Sequence, residues 1–371
     1  MSEWKKCTLG DLITFQRGHD LPKASMIFGE YPVVGSNGII GWHNKYTTDG
    51  PSITIGRSGN VGNPFIWYGK SWSHNTTLYI KKFNDCDPVF IYYFLKTLEL
   101  GNYAGGSAVP TLNRNHIHSL SVCVPSSIDE QKQIGNLLQT IDGKIEANNR
   151  INENLQQQAK ALYKSWFVDF EPFGGTAPAT WSAGKLKDVL MLKRDSIKAG
   201  ENAELPYLPI DVIPMRTFAV SEFKANEEAQ SSLIRFSQND IIIGAMRVYF
   251  HRVVLAPSDG ITRTTCFTLS PYMKEYLSFA LLCCDEESSI EYAQTTSKGS
   301  TMPYAVWEGG LGDMEILIPS ADIAQKFNDI VYPMLEKIQN SYFENKNLRD
   351  MRDSILPRLM SGELEVLENN N

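Results

Sequence analysis

The sequence predicts an α/β chain in which two similar domains, mostly antiparallel sheet with short helices, are separated by an antiparallel coiled coil of two long helices. Three observations predict it. Strand-like stretches recur in both halves, a long heptad-patterned stretch closes each half, and a Pro/Gly-rich segment divides them. Trp4, Leu9, Asp11 and Leu12 return as Trp181, Leu186, Asp188 and Val189, at an offset of 177. Ile53-Thr54-Ile55-Gly56 returns as Ile241-Ile242-Ile243-Gly244, and Thr76-Thr77 as Thr264-Thr265, both at 188. Gly106-Ser107 with Pro110 returns as Gly299-Ser300 with Pro303, at 193, and SVCVPS (121–126) as EILIPS (315–320). The drift in offset places insertions in the second half's loops, where length varies at least cost.

Each element follows from local pattern. Residues 52–69 alternate toward strand, turn at Ser58-Gly59-Asn60 and resume, while 87–100 and 274–284 read as short helices. After 121–126, the positions Ile134, Leu138, Ile141, Ile145, Asn148, Asn152, Leu155, Ala159 and Leu162 step by fours and threes, a heptad seam. Phe327, Val331, Met334, Ile338, Ser341, Asn345, Leu348, Arg352 and Ile355 repeat it at an offset of 193. Matched length, register and polar interruption predict that the two helices pair with each other, the asparagines fixing register. Ser126, Ser127 and Asp129 precede the first helix, Ser320 and Asp322 the second, and Gly/Pro signals end both. The expected divisions are a first domain at 1–128, a helix at 129–170, a linker at 171–180, a second domain at 181–319, a second helix at 320–362 and a tail at 363–371.

Composition narrows the function. A chain of 371 residues, 42% hydrophobic and 21% charged, is neither disordered nor fibrous. Its net charge of −7 excludes holding nucleic acid by bulk charge, so any DNA contact comes from local patches. The start, MSEWKKCTLG, has no apolar signal region, and the longest apolar run, 279–284, is far short of the roughly 20 residues of a membrane span. A cytoplasmic protein is expected. Cys7, Cys86, Cys123, Cys266, Cys283 and Cys284 form no CxxC pair and no cluster with histidine, so reduced, buried thiols are expected rather than zinc or disulfides.

Catalytic signatures are missing. Gly69-Lys70-Ser71 would need a glycine at 64 to close a phosphate loop, and Pro64 stands there. Gly56-Arg57-Ser58-Gly59 is not a hydrolase elbow, and Asn63-Pro64-Phe65 lacks the second proline of the amino-methyltransferase motif. No catalytic residue, metal or cofactor is therefore expected on this chain. Base-reading chemistry is better represented. Residues 1–82 hold nine Lys/Arg against five Asp/Glu, and 230–274 five against two. Arg57, Ser58, Asn60, His74 and Asn75 are candidates for base-edge hydrogen bonds in the first domain, where the same residue types also serve as plain turn formers. Arg247, Tyr249, His251, Arg252 and Arg263 are expected in equivalent places of the second, with Arg216 preceding them on a loop. Lys45, Lys70, Lys81 and Lys82 are phosphate candidates, or solvated surface lysines.

The strings GGSAVPTLNRNHIHSLSVCVPS, EQKQIGNLLQTIDGKIEANNRINENLQQQAKALYKSWFVDF and DIIIGAMRVYFHRVVLAP resemble the specificity (S) subunit of Type I restriction-modification systems, over nearly the whole chain. Gly309-Gly310 before Leu311 departs from that pattern as a local insertion. The resemblance implies a non-catalytic subunit whose two target recognition domains each read half of a split site on double-stranded DNA. It also implies that methyltransferase (M) subunits, two of them, and restriction (R) subunits dock on the long helices and carry the S-adenosylmethionine, ATP and Mg chemistry. The helix pair is then expected to separate the domains and set the spacer between half-sites. Alternatives are a specificity subunit of a system outside Type I, and a bivalent protein-binding scaffold.

Overall fold

In the first unit a four-stranded antiparallel sheet runs in the order Ile13–Arg17, Thr77–Phe83, Ser52–Gly56, Pro64–Trp67. Ser52–Gly56 is buried along its whole length, which the apolar Ile53 and Ile55 permit. The computed structural model describes residues 3–106, 110–230 and 232–366, so Ser107 of the expected repeat and the end of the tail lie outside the described residues. A three-stranded sheet, Gly38–His43, Tyr31–Gly35, Trp72–Ser73, contains a parallel pair, and Trp4–Thr8 forms an antiparallel ribbon with Ser121–Pro125. The helix Pro88–Thr97 starts where the Asp87 carboxylate accepts from the Phe90 N–H at 2.8 Å.

The second unit repeats this plan. Leu190–Leu192, Cys266–Pro271, Ile241–Gly244 and Val253–Leu255 form its four-stranded sheet, and Ser182–Lys185 pairs with Glu315–Ile318. Gly56 pairs with Thr77 and Gly244 with Cys266, so Thr77 corresponds to Cys266 and Thr76 to Thr265. The threonine pair read from sequence is thus out by one residue, because a single insertion lies between the two strands of the second sheet. The helix expected at 274–284 runs over Leu277–Asp285, and a further helix, Glu287–Thr295, follows it unforeseen.

The long helices are Ile128–Phe167 and Ala321–Ser361. By compactness the chain divides into Met1–Lys144 with Leu348–Asn371, and Ile145–Asn347, so each helix gives its halves to different cores. The sequential division at 128 and 319 follows element boundaries instead. In the first unit Ile134 and Leu138 share a core with Leu356, Leu359 and Met360, and Asp142 takes both the Arg352 guanidinium and, at 2.7 Å, the Tyr93 hydroxyl. Burial and that carboxylate hold the Tyr93 phenol far above its usual range. In the second unit Asn148 meets Asn345 while Tyr163, Trp166 and Phe167 meet Phe327, so the helices run antiparallel.

Of the expected seam, Ile134, Leu138, Ile141, Ile145, Asn148, Asn152, Val331, Ile338 and Asn345 are buried, whereas Leu155, Leu162, Met334, Leu348 and Ile355 are half-buried. Tyr163, Phe167, Leu335 and Leu356 are buried in their stead. A straight helix drifts ~20° per heptad against a strict seven-residue repeat, which moves the buried edge on by one position. The expectation for cysteine also needs correcting. Cys86, Cys266, Cys283 and Cys284 are buried, and burial pushes the first three thiols up to about 11, but Cys123 is exposed and Cys7 half-buried. Both lie on the two-stranded ribbon, where Cys123 pairs with Lys6 on the exposed side and Cys7 with buried Val122 at the edge of the core.

The polar layer of the helix pair is only half satisfied. Asn148 Nδ2 donates to Asn345 Oδ1 at 2.9 Å and to Glu344 Oε2 at 2.8 Å, and Asn345 Nδ2 donates to Asn149 Oδ1 at 2.9 Å. Asn152, through both polar atoms, and Ser341 Oγ have no hydrogen-bond partner among the described residues. An unmet buried polar group costs about 1–3 kcal/mol. Asn152→Leu combined with Ser341→Ala is therefore expected to raise the free energy of unfolding in urea, and Asn345→Leu, which takes from buried Asn148 one of its two acceptors, to lower it by a similar amount. A double substitution that destabilises by more than the single one would show that a bridging group satisfies Asn152.

Candidate nucleic-acid interface

In the first unit the chain leaves strand Ser52–Gly56 into a turn held on one carbonyl. The Arg57 and Ser58 N–H groups donate to Thr76 O at 2.8 and 3.3 Å, and Arg57 O accepts from Leu112 N–H at 2.9 Å. Thr76 Oγ1 lies 3.1 Å from His74 Nδ1 and accepts from Ser36 N–H at 3.3 Å, while His74 N–H donates to Val34 O at 2.9 Å. Four of the five base candidates, Arg57, Ser58, His74 and Asn75, therefore surround Thr76, all half-buried, and Asn60 projects beside them, exposed. Gly56 is required here, because a Cβ would come within 1.7 Å of Asn60 O. Besides His74, which meets Thr76 through Nδ1 alone, two side chains are already engaged. Asn75 donates to Asp20 and Asn60 accepts from Asn63, which leaves Arg57 and His74 the readier of these to meet a base edge.

The lysines separate into two groups. Lys70 Nζ donates to Tyr46 Oη at 2.9 Å and sits 4.2 Å over that ring, next to exposed Lys45 and four residues from His74. Lys81 and Lys82 are exposed at the far end of strand Thr77–Phe83, about 14–17 Å along it from Thr77 at ~3.4 Å per residue. Along the chain Lys70 is the nearest of the four to a base candidate, and its contact with Tyr46 brings the neighbouring Lys45 to the same place.

The same turn is built in the second unit from other side chains. Ala245 and Met246 N–H donate to Thr265 O at 2.9 and 3.3 Å, Ala305 N–H donates to Ala245 O at 2.8 Å, and Gly244 N–H donates to Arg252 O where Gly56 N–H donates to Asn63 O. Arg57 therefore corresponds to Ala245, Gly59 to Arg247 and His74 to Arg263, a correction to the expected equivalences. Arg247, Arg263 and Tyr249 are exposed, the Tyr249 ring lying tilted beside Phe250 at 4.9 Å. Three expected contacts are otherwise occupied. Arg252 donates to Ile210 O, Arg216 is paired with Glu287, and His251 is 1% exposed, its Nε2 2.8 Å from Asp285 Oδ1. Nothing in the local sequence marks His251 as inward-facing, since its partners lie 34 residues and more away.

Residues 1–157 match the family model of the Type I restriction modification DNA specificity domain. The chain is similar to the Type I restriction enzyme MjaIX specificity subunit of Methanocaldococcus jannaschii, 27% identical over 315 residues that span 75% of this chain and 69% of that protein. It is also similar to the Type I restriction enzyme HindI specificity subunit of Haemophilus influenzae, 23% identical over 356 residues, 75% of this chain and 77% of that one. The crystal structure of a Type I restriction-modification S subunit from M. genitalium shares the fold, with a TM-score of 0.73 at 17% identity over 96% of each chain.

Proposed function

From a chain that resembles Type I restriction-modification specificity subunits along most of its length and carries their DNA specificity domain at 1–157, we propose a non-catalytic subunit that recognises a bipartite DNA site with its two domains and directs methyltransferase and restriction subunits to it. One observation carries this reading: the same hydrogen-bonded turn is built twice, once on the four-stranded sheet of each unit, yet presents Arg57, Ser58 and His74 in one copy and Arg247 and Arg263 in the other. A shared backbone with different polar side chains is what two readers of different half-sites need. The long helices support the docking role, since Leu137, Ile151, Ile330 and Met351 stand exposed on them, apolar groups that a partner would cover. S-adenosylmethionine, ATP and Mg belong on those partners, two methyltransferase subunits and the restriction subunits, in the cytoplasm where the DNA is.

The purified chain is expected to transfer no methyl group from S-adenosylmethionine to DNA, and to support transfer at a split site once its methyltransferase subunits are added. Its retention on DNA should fall steeply with salt, as phosphate contacts require. Methyl transfer by the chain alone, or retention indifferent to salt, would sink the reading, the second in favour of a protein-binding scaffold.

A further inference from the structure

The second unit's turn carries an anchor that the first lacks. In the first copy the two left-handed backbone positions are glycines, Gly59 at φ +85° and Gly62 at φ +81°. Their counterparts are Arg247 at φ +50° and His251 at φ +53°, residues that adopt this conformation only under constraint. At Gly62 a Cβ would fall 2.2 Å from Gly101 N, so no side chain fits there. At His251 there is room, and the imidazole is buried in a chain of charges. Its Nε2 lies 2.8 Å from Asp285 Oδ1, and Asp285 Oδ2 lies 2.6 Å from Lys160 Nζ on the helix Ile128–Phe167. Its Nδ1 faces Glu287 Oε1 at 3.7 Å, Glu287 pairs with Arg216, and the Arg216 N–H returns to His251 O at 2.8 Å. The turn is closed on the same residue, the His251 N–H donating to Val248 O at 2.9 Å.

A glycine would give this backbone without strain, so the histidine adds something other than the turn. We propose that His251, supported by Asp285 and Lys160, is a positioning residue that fixes Arg247 and Tyr249 for reading one half-site. It ties the exposed end of the turn to the long helix through groups that cannot shift without stranding a buried carboxylate. The first copy, with glycines at both positions, obtains its rigidity from Gly101 and Leu100 packed against Gly62.

The inference rests on the DNA-reading role proposed above, and its test separates the two. His251→Gly keeps the backbone conformation and removes only the anchor. In the complex with its methyltransferase subunits, methylation is compared on the cognate site and on sites altered by one base in each half. His251→Gly and Lys160→Met should each lower discrimination in the same half-site by about tenfold, the order of one lost base contact, and leave the other half-site and the salt slope unchanged. Lys160→Arg should retain discrimination. Arg247→Ala with Tyr249→Ala serves as the reference. If that pair alters neither half-site, the reading role itself fails. If it alters one half-site while His251→Gly does not, or if His251→Gly lowers methylation equally on cognate and altered sites, the positioning role is overturned.

Discussion

Phe327→Ala is expected to cost the second unit about 3–5 kcal/mol, the range for removing a buried aromatic side chain. Phe327 is fully buried, and its ring meets Phe167 at 4.8 Å, Trp166 at 5.6 Å and Tyr163 at 6.4 Å, so truncation opens a void among three rings that neighbouring backbone cannot fill. The loss is a large part of a domain's usual 5–15 kcal/mol. Urea unfolding followed by tryptophan fluorescence reads it, because two of the seven tryptophans belong to this cluster: Trp166 touches Phe327, and Trp181 lies 5.6 Å from Phe167. Phe327→Leu, which keeps much of the volume, should cost clearly less. A loss under about 1 kcal/mol for the alanine would mean that the aromatic cluster is not what holds the two helices together in this unit.

What could be read from the sequence was whatever is periodic or repeated. The helices were legible because apolar residues recur every three to four positions over some forty residues, a length at which chance matches are few. The central strands were legible because an all-apolar stretch ending in Gly appears twice. Register was less so: one inserted residue moves Thr76 from Thr264 to Thr265, which the ladder between Gly244 and Cys266 and the turn on Thr265 O reveal. Of the candidate interface, the first turn was found through its Gly, Asn and Arg, the residues that build a turn and read bases alike. The inward turn of His251 and the capture of Arg252 and Arg216 could not be found in this way. Each depends on a partner far along the chain, Asp285, Ile210 and Glu287.

The two turns are expected to fail independently. Arg57→Ala with His74→Ala should relax recognition at one half-site, and Arg247→Ala with Arg263→Ala at the other, each lost bidentate contact costing about 1–3 kcal/mol of discrimination. The pairs are chosen from the hydrogen-bond equivalence: His74 and Arg263 hold the same place before the threonine whose carbonyl receives the turn, whereas Arg57 and Arg247 stand two positions apart on the two turns. Asn75→Ala should do less than either, since its amide is already given to Asp20. Lys45→Ala and Lys70→Ala provide the contrast, because loss of a phosphate contact weakens binding across sequences alike and lowers the salt slope by about one per charge, with no change in the preferred base. Methylation of a library of split sites, sequenced after reaction with the full complex, reports both half-sites at once. If both pairs of arginine and histidine changes degrade the same base positions, the chain does not divide its reading between two domains, and the second turn's exposed Arg247 and Arg263 serve some contact other than a base.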